Sequence, residues 1–249
     1  MTEFILYVLA GFAAQMIDGT LGMGYGVSSS MFLLNAGLTP AIASASVHTA
    51  KSVTTLVSGL AHLSLGNVTR NLLWKLVISG VVGGVLGAAL LSNLHWDFLQ
   101  PLVSVYLMIM GIRILYKGLQ KDLITAGAFA NKVYPLGFIG GFMDSIGGGG
   151  WGPIVTTTLV ADGDHLPHKA IGTVSLAEFF VSIAQVATFT VFLKLTHLNV
   201  IIALILGGVL AAPLAAMICN KVNTKSLMIA VGLLIILLSL RTIWVFFMN

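Results

Sequence analysis

The feature that most constrains this chain is a glycine-rich interruption that occurs twice within hydrophobic sequence. Residues 18–26 (DGTLGMGYG) return as residues 144–152 (DSIGGGGWG) at a shift of 126 positions without a gap. A Gly-Phe pair stands seven residues before each aspartate. Glycine runs interrupt helices, and broken backbone is tolerated inside a membrane only where it is buried in protein or lines a cavity. The duplicated break therefore predicts a membrane transporter with two interrupted helices.

The composition is typical of a membrane protein. Of the 249 residues, 57% are hydrophobic and 8% are charged, whereas a soluble domain carries about a quarter charged residues. The basic residues form no cluster with interleaved aromatics, which argues against nucleic-acid binding. The single cysteine, Cys219, excludes an internal disulfide and a cysteine-based metal cluster. The N-terminus lacks the positive region of a cleavable signal peptide, so none is expected.

The sequence predicts an all-α polytopic membrane protein built from two four-segment repeats. The apolar segments are 4–34, 40–65, 72–92, 99–119, 133–161, 169–193, 200–218 and 226–247. The first segment of each repeat contains the glycine break and is broken or re-entrant. The predicted boundaries are 1–122 for the N-terminal repeat, 123–132 for a connecting loop and 133–249 for the C-terminal repeat, all within one membrane domain.

The duplication continues beyond the break after a one-residue insertion. At a shift of 127, Pro40 matches Pro167 and Gly80 matches Gly207. Residues 4–17 before the first aspartate are too few to span a hydrocarbon core about 30 Å thick, which favours a re-entrant first segment and inverted repeats. That topology places nine Lys and Arg on one side and two on the other, with both termini outside. A fully crossing broken segment gives eight against three, so the charge count alone leaves parallel repeats open.

Two equivalent helices carry a polar face inside predicted membrane segments. The first helix has His48, Lys51, Thr55 and Ser58, and the second has Ser175, Glu178, Ser182 and Gln185 at the matching positions. Steps of three and four residues place each set on one helical face. A charge at the membrane centre costs about 2.5–3.5 kcal/mol, so Lys51 and Glu178 either form an ion pair that locks the repeats together or border a substrate path. His48 is either a hydrogen-bonded packing residue or a ligand or proton carrier.

The breaks supply further candidates. Asp18 and Asp144 precede glycine turns, where a carboxylate can accept backbone N–H bonds and cap the following half-helix; this role is favoured over substrate contact. Free N–H groups and helix dipoles at the half-helix starts would suit an anion. The predicted substrate-binding residues are Gly22, Gly24, Gly26, Ser28, Ser29, His48, Lys51, Gly148, Gly150, Trp151, Gly152, Thr156 and Ser175. Asp18, Asp144, Glu178 and Gln185 are assigned to coupling or to structural charge, and no metal site is predicted.

One feature opposes an anion site. The intramembrane charges sum to −2 with histidine neutral, because Lys51 stands against three acids, Asp18, Asp144 and Glu178. An anion is repelled unless a carboxylate is protonated, is capped by N–H groups or is neutralised by a coupling cation. Proton coupling through Glu178 is therefore a hypothesis.

The duplicated Asp-to-glycine break, the helix that begins with proline and the glycine-rich third helix resemble the sulfite exporter TauE/SafE family of membrane transporters over essentially the whole chain. The resemblance implies a secondary transporter of small sulfur-containing anions, such as sulfite, sulfonates, sulfoacetate or thiosulfate, in the inner membrane and without an ATP-binding domain. The first break departs from the second, since Leu21 and Met23 stand where the second has glycines.

The expected partners are a small anionic substrate, a coupling proton or cation and membrane lipid, with no nucleic acid and no cofactor; a homodimer stays open. A metal-cation carrier or a passive channel is the alternative that the net negative interior favours. An intramembrane enzyme is disfavoured because the chain has no HExxH or GxSxG motif. The chain is therefore predicted not to be an enzyme.

Overall fold

The computed structural model describes residues 2–21, 23–94, 99–120, 132–162, 167–193, 197–218 and 224–248. All regular structure within these ranges is helical. The helices are α1 (Thr2–Leu21), α2 (Tyr25–Asn35), α3 (Pro40–Ser64), α4 (Arg70–Asn93), α5 (Leu99–Leu119), α6 (Val133–Gly147), α7 (Thr157–Asp162), α8 (Pro167–Phe192), α9 (Leu198–Ile218) and α10 (Thr224–Met248). A π-helical turn, Gly152–Thr156, leads directly into α7. The all-α prediction is confirmed, while the connecting loop predicted at 123–132 lies almost entirely outside the described residues.

Several helices are long and apolar enough to cross a membrane. Within the described ranges these are Arg70–Asn93, Leu99–Leu119, Lys169–Phe192 and Met228–Met248, and a shorter apolar stretch covers Leu198–Ala212. The 25 residues of α3 are as many as those of α10, but the polar face of α3 lowers its hydropathy. The chain is therefore a multi-pass membrane protein.

Both breaks interrupt helices, but later in the sequence than predicted. The first helix continues past Asp18 to Leu21 and has 20 residues, so the prediction of a short stretch ending before Asp18 is wrong. The helix α6 likewise continues past Asp144 and ends at Gly147, and the next residue, Gly148, has a left-handed φ of 70°. Such a φ favours glycine, which explains why α6 stops there. Because α1 has 20 residues, its length gives no reason to expect that the first segment enters and leaves the membrane on the same side.

Proline and glycine mark the ends of the central helices. Both α3 and α8 begin with a proline, Pro40 and Pro167, a residue suited to the first helical turn because that turn needs no N–H donor from it. The end of α2 is closed by Gly37, which has a φ of 91° and donates its N–H to the Leu34 carbonyl at 3.1 Å. The two matching prolines thus start the helices at equivalent positions in the two halves of the chain.

Equivalent helices of the two halves pack against each other in antiparallel orientation. In each pair, a later residue of one helix contacts an earlier residue of the other helix. The contacts are Gly59 with Leu176 and His48 with Phe189 for α3 and α8, and Gly111 with Ile235 and Gly118 with Met228 for α5 and α10. The central pair, α3 and α8, therefore presents its two polar faces at the junction of the halves.

Other helices also pack against helices of the opposite half of the chain. The helix α4 packs on α6, and its counterpart α9 packs on α1, the counterpart of α6. Glycines permit both approaches: a Cβ on Gly83 would overlap the Phe138 carbonyl oxygen, and a Cβ on Gly207 would overlap that of Val8. Small residues that let backbones approach closely are the usual basis of helix packing in membranes.

Candidate functional site

The two breaks contact each other directly. Gly26, in the first turn of α2, lies so close to Gly148 and Gly149 that an added Cβ would overlap their backbone atoms. A Cβ on Gly149 would in turn overlap the backbone of Gly26 and Val27. Only glycine allows backbones to approach this closely. The N-terminus of α2 and the loop after α6 therefore form one site, to which both halves contribute.

Each aspartate caps the second half-helix of its own break. Asp18 Oδ1 accepts the Tyr25 N–H at 3.2 Å. Asp144 Oδ1 accepts the Gly150 N–H at 2.8 Å and the Trp151 N–H at 3.0 Å. Tyr25 and Trp151 occupy equivalent positions in the duplication. These bonds are the capping role that the sequence favoured for both aspartates, and they leave fewer backbone N–H donors for an anion.

Lys51 connects the two halves through ion pairs. Its Nζ lies 3.2 Å from Asp144 Oδ1 and 2.5 Å from Glu178 Oε1. The Lys51 side chain is only 5% exposed, so water screens these contacts little. The ion pair with Glu178 is the one that the sequence raised as an interpretation, and Asp144 is a second partner that it did not indicate.

His48 and Gln185 complete the surroundings of the Asp144 carboxylate. His48 Nε2 lies 3.1 Å from the Asp144 backbone carbonyl oxygen, and its ring stacks on Phe189 with centroids 6.1 Å apart. Gln185 Nε2 donates to Asp144 Oδ2 at 3.3 Å and to Ser145 Oγ at 2.9 Å. His48, Asp144 and Gln185 are all fully buried. These polar side chains form a network in which each one orients another.

A small cavity lies between the breaks and this charged cluster. Its described lining residues are Asp18, Gly24, Gly26, Val27, Lys51, Gly149, Gly152, Pro153 and Glu178. The accessible volume is about 10 Å³, which is room for about one water molecule. A sulfite or sulfonate ion is larger than this space. An ion of this size does not fit the cavity as the structure describes it.

The structure brings together part of the predicted substrate-binding set. Gly24, Gly26, Lys51 and Gly152 line the cavity, while His48, Gly150 and Trp151 contact Asp144. Gly148 ends α6 and packs on Gly26. Ser28, Ser29, Thr156 and Ser175 are absent from the described lining residues, and Gly22 lies outside the described part of the chain.

Three lining residues were missing from the predicted set. Val27, Gly149 and Pro153 each stand next to a predicted glycine and line the cavity. For Gly149, the signal was the unbroken glycine run itself. Nothing in the residue type of Val27 or Pro153 indicated a site, because their side chains carry no polar group.

Two interrupted helices that meet around a buried charged cluster, in a chain with several membrane-crossing helices, are typical of membrane transporters. Comparison with known proteins agrees. The sequence model of the family described as "Sulfite exporter TauE/SafE" matches residues 7–242, and the chain belongs to this family. The predicted family resemblance and the multi-pass membrane location are thereby confirmed.

The chain is also similar to the "Probable membrane transporter protein YtnM" of Bacillus subtilis (strain 168). The two are 40% identical over 252 residues, which cover 98% of this chain and 83% of the relative. No solved structure matches the chain. The family and this relative both indicate a membrane transporter rather than an enzyme.

Proposed function

We propose that this transporter is a secondary transporter of small sulfur-containing anions, of the sulfite, sulfonate, sulfoacetate or thiosulfate kind, across the inner membrane. The position of Lys51 carries the proposal, since it is the one cation among the described lining residues of the cavity between the breaks. An ammonium group has three N–H donors. Asp144 and Glu178 each accept one of them. The third has no partner among the described residues, so it can bind an oxygen of an anion.

Backbone donors at the junction support the same substrate class. Asp18 and Asp144 accept the N–H groups of Tyr25, Gly150 and Trp151. Gly26, Val27 and Gly152 line the cavity itself, and their backbone N–H groups lie in the first turns after the two breaks. Half-helix N-termini carry a partial positive charge that favours anions. A tetrahedral or pyramidal oxyanion has several oxygens, so Lys51 and these N–H groups can bind different oxygens of one ion.

The arrangement of the helices supports transport by alternating access with two inverted repeats. The equivalent helices α3 and α8 run antiparallel, as do α5 and α10. Equivalent membrane helices with opposite directions are expected when the repeats are related by an axis in the membrane plane. The cavity lies where the two halves meet, which is where a movement of one repeat against the other would open it to either side.

The charges around the cavity bear on coupling. Asp18, Asp144 and Glu178 against Lys51 leave a net charge of −2 when His48 is neutral. An anion that enters this cluster adds further negative charge in a medium of low dielectric constant, which is costly. A proton or cation that binds together with the anion lowers this cost. The proposal therefore includes cotransport of positive charge with the anion.

The proposed function is tested with purified protein in liposomes and radiolabelled sulfoacetate and thiosulfate. We expect the wild type to transport at least one of these anions and Lys51→Ala to lose transport. Lys169→Ala is the matched control, because Lys169 is exposed at the start of α8, and we expect it to transport normally. Normal transport by Lys51→Ala would contradict the assignment of the central anion contact.

A further inference from the structure

His48 has one ring nitrogen without a partner. Its Nε2 faces the Asp144 backbone carbonyl oxygen at 3.1 Å, and because a carbonyl oxygen only accepts, Nε2 must carry the proton in neutral His48. Nδ1 then presents a lone pair. This atom is buried, has no hydrogen-bond partner among the described residues and lies 3.7 Å from Asp144 Oδ2. Two lone pairs thus face each other across this gap.

Among the described residues, the charged groups nearest the ring are Asp144 on α6 and Lys51 one turn further along α3. From α8, Phe189 stacks on the ring, and Glu178 contacts the Lys51 ammonium. Asp18 on α1 lines the same cavity as Lys51. A proton on Nδ1 would convert the facing lone pairs into a charge-assisted hydrogen bond between imidazolium and carboxylate.

The carboxylates of Asp144 and Glu178 are already engaged by hydrogen bonds and ion pairs, whereas His48 Nδ1 has no hydrogen-bond partner among the described residues. Asp144 Oδ1 accepts from Gly150, Trp151 and Lys51, and Asp144 Oδ2 accepts from Gln185. Glu178 Oε1 is held by Lys51. A proton on either carboxylate weakens an existing ion pair with Lys51, whereas a proton on Nδ1 displaces no hydrogen bond of the described structure.

From this geometry we propose that Nδ1 of His48 binds the coupling proton of this transporter, and that its protonation frees Lys51 to bind the anion. The proposal rests on the proposed anion transport. A hydronium ion of the aqueous phase gives its proton to the Nδ1 lone pair and becomes water, and the new N–H donates to Asp144 Oδ2. The Asp144 charge is then shared with an imidazolium, so its attraction for Lys51 weakens. Lys51 gains freedom to turn an N–H toward the anion, and release of the anion and the proton reverses the step.

Proton and anion binding then favour each other, as thermodynamic linkage requires. If one proton enters with each anion, thiosulfate binding should tighten by about tenfold for each unit by which the pH falls, over the range in which His48 is neutral without ligand. Thiosulfate suits this measurement because, unlike sulfite, it does not titrate near neutral pH.

The test measures uptake of labelled thiosulfate and sulfoacetate into proteoliposomes with and without a pH gradient, at a clamped membrane potential. We expect the gradient to accelerate uptake by the wild type and to have no effect on His48→Gln, whose amide can still donate to the Asp144 carbonyl oxygen. His62→Gln is the matched control, since it places the same substitution about four turns further along α3, and it should respond like the wild type.

The outcomes separate the two proposals. If the wild type transports neither anion, the proposed function fails. If the wild type transports an anion but shows no response to the gradient, or if His48→Gln keeps the response, the assignment of the proton to His48 is wrong. Loss of the response in Glu178→Gln together with its retention in His48→Gln would place the proton on Glu178.

A measurement on the wild type covers the case in which His48→Gln fails to fold. Histidine labelled with ¹⁵N in lipid nanodiscs reports whether each ring nitrogen carries a proton. We expect addition of thiosulfate to convert one buried histidine from the form protonated at Nε2 to the imidazolium. An unchanged neutral ring at saturating thiosulfate would overturn the proposal.

Discussion

The first and second breaks have the same capping hydrogen bond but different ion pairs. In both, an aspartate in the last turns of one half-helix accepts the N–H of the aromatic residue seven positions later, Tyr25 or Trp151. Only the second aspartate is also part of an ion pair in the described structure, because Lys51 reaches Asp144 from the other half. Asp144 is fully buried, whereas Asp18 is partly exposed.

The difference follows from one pair of equivalent positions. The duplication aligns Lys51 with Glu178, so the position that presents a cation to Asp144 has an acid as its counterpart in the other half. Glu178 forms an ion pair with the Lys51 ammonium, and the described structure contains no ion pair to Asp18. The comparison teaches that two similar backbone arrangements can carry unequal charges, because the aligned positions of Lys51 and Glu178 hold side chains of opposite charge.

The largest expected effect compares the two aspartates. Asp144→Asn keeps an acceptor for the backbone N–H groups but removes the charge that pairs with buried Lys51. Since breaking a buried ion pair is strongly destabilising, we expect a loss of about 3 kcal/mol in the free energy of unfolding. Asp18→Asn keeps a good capping residue, so its loss should stay below about 1 kcal/mol. Unfolding by SDS in mixed detergent micelles measures both. Equal losses would mean that the two breaks are energetically alike.

The next effect concerns the contact between the breaks. Gly26→Ala and Gly149→Ala each introduce a Cβ that overlaps backbone of the opposite break, and overpacking of this kind costs about 1–3 kcal/mol. Because one contact is involved, we expect similar losses of stability from either side. Gly208→Ala is the control, since its Cβ would meet side chains alone, the Thr54 methyl group at 3.1 Å and the Tyr25 side chain at 3.8 Å. A large loss from one side alone would show that the breaks do not support each other.

The smallest effect compares the two aromatic residues. Trp151 Nε1 donates to the Val174 carbonyl oxygen at 3.2 Å, whereas the Tyr25 hydroxyl has no hydrogen-bond partner within the described residues. Trp151→Phe removes this hydrogen bond, so we expect a loss of about 1 kcal/mol. Tyr25→Phe removes an unsatisfied group and should change the free energy of unfolding by less than about 0.5 kcal/mol. Thermal unfolding followed by intrinsic fluorescence ranks the two variants. The reverse ranking would contradict the described contacts.

Much of the scaffold could be predicted from the sequence because it depends on local signals. Proline at the start of α3 and α8, and aspartate before glycine, act through neighbouring backbone. The start of each break was predicted too early, because local sequence does not tell which glycine first becomes left-handed. In the second break that residue is Gly148, four residues after Asp144.

The site was less predictable because it depends on contacts between the halves. Asp144 was assigned to capping, yet a carboxylate has room for about four hydrogen bonds, so it caps a half-helix and binds Lys51 at once. The hydroxyls of Ser28 and Ser29 were predicted to face an anion. Which face of α2 meets the cavity depends on its packing against α1, α3 and α10, and the residue types of α2 carry no information about that packing.

The central claim is that an anion binds beside Lys51 where the two breaks meet. Anomalous diffraction from crystals grown with selenite, an analogue of sulfite, locates the bound anion through its selenium atom. We predict a selenium peak within hydrogen-bonding reach of Lys51 Nζ, between the backbones of Gly26 and Gly149, with these backbones further apart than in the structure described above. A selenium site elsewhere in the protein, with Lys51 still enclosed by Asp144 and Glu178 at a selenite concentration that saturates transport, would contradict it.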